Sequence, residues 1–180
     1  NQINPLGMYY DDLEDFFEDC NYYMYYQNAA ATQKKKKTDM TDIVGETTAF
    51  LGRVRTLNEN LKSDCIRCNL LLEAISNYSM KEGKINEIRQ LKKRYLPTFN
   101  EVLVSYINAA ELPVRTQQFA KIEELTKETL AQGAKTFEQI YDELLMNKSI
   151  SLEGNLAAMR AISTKYVDFI DIAQSYLDEN

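Results

Sequence analysis

Between Met40 and Ile75 the chain places apolar or small residues in alternating steps of four and three: Met40, Val44, Thr47, Leu51, Val54, Asn58, Leu61, Cys65, Cys68, Leu72 and Ile75. Such steps keep side chains on one stripe of an α-helix, so the spacing predicts one long helix offering a continuous seam to a partner helix. No proline interrupts the stretch. At a rise of about 1.5 Å per residue this helix would be roughly 50 to 60 Å long, more than the diameter of a small domain. An elongated molecule is the expectation.

The remaining composition agrees. The 180 residues are 44% hydrophobic with only three Pro and six Gly, which is enough apolar material for a core and too few breakers for a many-turned sheet protein. A net charge of -6 and a pI near 4.9 repel phosphate backbones, and no long basic stripe offsets them, so nucleic acid is not an expected partner. Three Cys without a signal peptide fit a reducing, cytoplasmic compartment. No run of about 18 apolar residues exists to span a bilayer. The chain begins at Asn1 rather than Met, as an excised segment would, and any tether to the cytoplasmic membrane is expected outside it.

Five helical segments account for most of the sequence. The first is read from about Asp11 to Ala31, with Leu13, Phe16, Phe17, Cys20, Tyr23 and Met24 at helical spacing and acids in its first turns, where they suit the positive end of the helix dipole. Lys34 to Lys37 form a solvated connector, and Thr38 or Asp39 caps the long helix. After a break near Ser79 to Gly83, a third seam runs through Ile85, Ile88, Leu91, Tyr95, Phe99, Leu103 and Tyr106. Pro97 lies inside it and cannot donate to the Lys93 carbonyl, so a kink or a fresh helix start is expected there. Pro113 marks the next turn. Phe119, Ile122, Leu125, Thr129, Phe137, Ile140 and Leu144 make a fourth stripe, weakened at Gly133 by roughly 1 kcal/mol relative to Ala. A polar turn at Asn147 to Ser151 precedes the fifth, through Leu152, Leu156, Met159, Ser163, Tyr166, Ile170, Ala173 and Leu177. Period-two alternation between hairpin turns is not found. The predicted fold is all-α, an elongated antiparallel bundle with coiled-coil-like long helices, in one domain over 1–180 that divides into an N-terminal helical hairpin (1–83) and a second helical region (84–180).

The chemistry is bounded first by what the sequence omits. Without any His there is no His-assisted nucleophile, His metal ligand or His proton shuttle. Glycines at 7, 45, 52, 83, 133 and 154 stand singly, so neither a dinucleotide fingerprint nor a Walker loop can be assembled. Cys65 and Cys68 form a CxxC, which suggests a redox pair or half a zinc site. Their mid-helix seam position and the lack of a full ligand set favour small buried thiols instead. Asp11, Asp15 and Glu18 share a helical face that could hold a hard cation, although a solvated helix end explains them as well. Tyr22, Tyr23, Tyr25 and Tyr26 surround one helix and cannot all face one core, so Tyr22, Tyr25 and Tyr26 are read as a partner surface. Lys34 to Lys37 could touch anionic headgroups; a charged loop is the plainer reading. Asp39-Met40-Thr41-Asp42-Ile43-Val44 departs from an aspartyl-phosphate signature because its second Asp comes one residue late and no strand precedes it.

At Lys93-Arg94-Tyr95-Leu96-Pro97-Thr98-Phe99 and onward through Asn100-Glu101-Val102-Leu103-Val104-Ser105-Tyr106, the sequence resembles the XpaC family of bromochloroindolyl phosphate hydrolysis proteins and its relative, the TelA family of toxic-anion-resistance proteins. The shared pattern is Tyr-Leu-Pro-Thr followed by an apolar stretch ending near a Tyr. The resemblance covers roughly Lys84 to Tyr166, taking in Pro113-Val114, Thr136, Phe137 and Ser151-Leu152-Glu153. Phe99 and Asn100 depart from it, standing where the family tends to continue with Thr, Leu or Lys.

The resemblance implies a helical bacterial protein linked to a membrane or stress response. Its name suggests phosphate hydrolysis, yet no metal ligands, nucleophile or phosphate clamp can be mapped here. The expectation is a non-enzymatic helical interaction or scaffold module without cofactor or bound metal, whose partner is another protein or a second copy of itself, with peripheral membrane contact as an addition. A metal-assisted phosphohydrolase is the alternative. Tyr95, Leu96, Pro97, Thr98 and Tyr106 are read as a structural joint within this module.

Overall fold

The computed structural model describes residues 2–3, 9–10, 43–113 and 117–178. Two compact units divide the chain, Asn1–Thr38 and Asp39–Asn180. In the first, β1 (Gln2–Ile3) pairs antiparallel with β2 (Tyr9–Tyr10), with Gln2 opposite Tyr10 and Ile3 opposite Tyr9. Strands of two residues are too short to leave an alternation in the sequence, which is why periodicity does not reveal them. The expected first helix, with its acidic face at Asp11, Asp15 and Glu18, with Cys20, with Tyr22, Tyr25 and Tyr26, and with Lys34 to Lys37, lies outside the described residues.

The second unit is all-α. Its helices are α1 (Ile43–Leu57), α2 (Lys62–Lys81), α3 (Leu96–Ala110), α4 (Gln117–Leu145) and α5 (Glu153–Asp178). The seam of four-and-three steps does face the core: Thr47, Leu51, Val54, Leu61, Cys65, Cys68, Leu72 and Ile75 are all buried. One helix does not carry it, however. Asn58 adopts an extended backbone (φ -145°, ψ 111°) and its side chain accepts a hydrogen bond from the Asn60 amide at 2.9 Å. A single 3-10 turn, Glu59–Leu61, then leads into α2. Asn favours this capping role because its short amide competes with the helical backbone for local donors. Since α1 lies along both α2 and α3, the four residues from Asn58 to Leu61 fold the chain back on itself, and the rod of 50 to 60 Å is replaced by a helical hairpin.

Helix α4 is central, packing against α2, α3 and α5, while α1 covers α2 and α3. The core between them contains Phe99, Leu103, Leu130, Phe137, Ile140 and Met159. α2 therefore packs on α4 across the expected division at residue 83. Four threonines are also buried, and each donates its hydroxyl to the carbonyl four residues back: Thr47 to Ile43, Thr126 to Ile122, Thr129 to Leu125 and Thr136 to Gln132, at 2.8 to 2.9 Å. Their polarity is satisfied within their own helices, so they sit in the core without needing a partner across it.

Candidate functional site

The segment expected to form a joint changes helix type at Leu96. Leu91–Tyr95 form a π-helical turn in which the Leu96 amide donates to the Leu91 carbonyl, five residues back, and α3 starts directly after it with Pro97 in its first turn. A regular α-helix here would press the Pro97 ring onto the Lys93 carbonyl; the wider turn admits the ring without breaking the helical path. Thr98 returns a hydroxyl hydrogen bond to the Arg94 carbonyl at 3.2 Å. Leu96 is fully buried beneath this turn.

Aromatic rings fill the space inside the joint. The Tyr95 ring stacks 6.3 Å from Phe99, and both meet Phe137 of α4 edge-on at 5.8 and 5.5 Å. Gly133, one turn before Phe137, supplies the hole for Phe99: a Cβ there would lie 2.5 Å from the ring. Tyr106 closes the other end of the stripe, its hydroxyl accepting from the Asn58 side-chain amide at 3.1 Å and its ring 5.9 Å from Phe119. The structure thus brings Tyr95, Leu96, Pro97, Thr98 and Tyr106 onto one continuous helical path, with Asn58 tying the hairpin turn to it.

Burial decides the chemistry of the ionisable groups in this core. It pushes the Cys65 and Cys68 thiols up to about 12, with Asp64 adding to the shift in both. The thiolate is the reactive form, so at neutral pH both remain protonated and unreactive. Cys68 points its thiol at the Leu130 carbonyl, 3.4 Å away. Burial likewise raises Tyr95 well above the ordinary tyrosine range, opposed in part by Thr136, and raises Tyr166 to about 12, opposed by Ser105. The buried Tyr95 hydroxyl makes no well-formed hydrogen bond. Among the described residues no three or more Cys, Asp or Glu side chains are grouped to hold a metal ion. No described helix is long and apolar enough to cross a membrane.

The end of the bundle formed by the α2–α3 and α4–α5 connectors is different in kind. Both α2 and α4 end in a Schellman motif, a pair of backbone hydrogen bonds that closes a helix through a left-handed residue. In α2 the Lys84 amide reaches the Ser79 carbonyl and the Gly83 amide the Met80 carbonyl, with Gly83 at φ 68°. In α4 the Lys148 amide reaches Glu143 and the Asn147 amide reaches Leu144, with Asn147 at φ 54°. Lys84 clips the two ends together, donating to the Asn147 side chain at 2.8 Å and the Leu144 carbonyl at 3.3 Å while its ammonium lies over the Tyr78 ring. Tyr78 in turn meets Tyr141 edge-on at 6.3 Å.

Around this clip four large apolar side chains face solvent: Met80 is 70% exposed, Ile85 54%, Leu145 50% and Met146 60%. The spacing places Ile85 on the third seam; the connector turns it outward because regular helix resumes only at Arg89 and Gln90. The other three fall out of phase with their helices' buried stripes, a signal the sequence contains but that isolated surface apolars also produce. A separate shallow groove of about 440 Å³ between α4 and α5 is lined by Ala131, Ala158 and Ile162, and the Lys165–Glu128 ion pair stands at its side.

No family model matches the chain, and neither the curated proteins nor the solved structures contain a match to it.

Proposed function

We propose that this chain is a non-enzymatic helical interaction module, XpaC-like over Lys84 to Tyr166, that works in the cytoplasm by docking through the apolar end of its bundle. The observation that carries this reading is the cluster of Met80, Ile85, Leu145 and Met146 around the Lys84 clip. Large apolar side chains exposed together in a folded protein mark contact surfaces, since burying them gains roughly 25 cal/mol for each Å² removed from water. Methionine suits such a surface because its unbranched thioether adapts to the shape it meets. Two capped helix ends and a lysine clip hold the connectors in place before docking, which lowers the ordering entropy that docking must overcome.

The decisive comparison is between the wild-type chain and an Ile85→Asp, Met146→Asp variant. Both positions are exposed, so the variant should melt at the wild-type temperature yet lose association with its own copies, with protein or with lipid. Loss of stability in place of association would assign the residues to packing. A parallel assay with a chromogenic aryl phosphate, with and without divalent metals, should give no turnover above blank. Turnover that disappears in an Asp11→Asn, Asp15→Asn variant would replace this reading with the phosphohydrolase.

A further inference from the structure

We draw no further inference here: the strongest candidate, the exposed apolar patch of Met80, Ile85, Leu145 and Met146 at the end of the bundle formed by the α2–α3 and α4–α5 connectors, already carries the function proposed above, and nothing in the structure shows what covers it.

Discussion

The ring of Phe99 on α3 lies so close to Gly133 on α4 that a Cβ at position 133 would sit 2.5 Å from Cε2 and 3.1 Å from Cζ. Helix propensity alone favours Gly133→Ala by roughly 1 kcal/mol, and a reading of the sequence by propensity would expect a gain. The fully buried ring cannot retreat, and overpacking costs typically about 1 to 3 kcal/mol. Gly133→Ala should therefore lower the melting temperature. In a Phe99→Leu background, where the ring is gone, the same change should become neutral or stabilising. Equal effects in both backgrounds would show that the contact does not limit position 133.

Truncating Tyr95 should separate its ring from its hydroxyl. Tyr95→Ala removes a buried ring packed on Phe99 and Phe137 and should cost about 3 to 5 kcal/mol. Tyr95→Phe removes only a hydroxyl with a poor partner and should fall within about 1 kcal/mol of wild type. Pro97→Ala should change stability equally little, because Pro97 occupies the first turn of α3, where the missing amide is tolerated. Chemical denaturation of the three variants gives all three values.

Alkaline pH should destabilise the fold. Cys65 and Cys68 have folded values of about 12, above the ordinary 9.0, so the folded state holds these protons more tightly than the unfolded one. Their contribution is complete below pH 9 and is lost as pH rises toward 12, with Tyr166 acting in the same direction between its ordinary 10.0 and about 12. Stability measured from about pH 8 to 11 should fall across this range, and less steeply in a Cys65→Ala, Cys68→Ala variant. With Cys20 changed to Ser, the native chain should resist a thiol reagent at about pH 8 until it is unfolded.

The inward faces of these helices are legible because apolar residues recur at the helical period whatever the chain does between them. That same property hides the turn at Asn58. The four-and-three spacing runs through it without a phase error, so periodicity identifies Val54 and Leu61 as buried but cannot show that they belong to two helices. Gly133 reads only by its intrinsic propensity, since the ring that needs the space lies 34 residues earlier in sequence at Phe99. Pro97 announces a break in regular helix from sequence alone, whereas the π turn that accommodates its ring depends on how Leu91 to Tyr95 pack. Met80, Leu145 and Met146 fall out of phase with the buried stripes, a signal that isolated surface apolars also give; the packing of α2 on α4 brings the ends that carry them together.

The left-handed residues at the two helix ends should respond differently to substitution. Gly83→Ala places a side chain at φ 68° and should cost about 1 to 2 kcal/mol. Asn147→Gly relieves the same backbone restraint but removes the acceptor for Lys84, so its net effect should stay within about 1 kcal/mol. Lys84→Met should cost about 0.5 to 1.5 kcal/mol by releasing the clip. Thermal melting of the three variants ranks them.

Hydrogen–deuterium exchange, followed by peptide in dilute and in concentrated protein, tests the docking end most directly. Association through this end predicts added protection on concentration in peptides covering residues 80–90 and 145–150, with the α4–α5 groove unchanged and the effect absent in Ile85→Asp, Met146→Asp. Protection that appears instead around Ala131, Ala158 and Ile162, or that does not depend on concentration anywhere, would contradict the account.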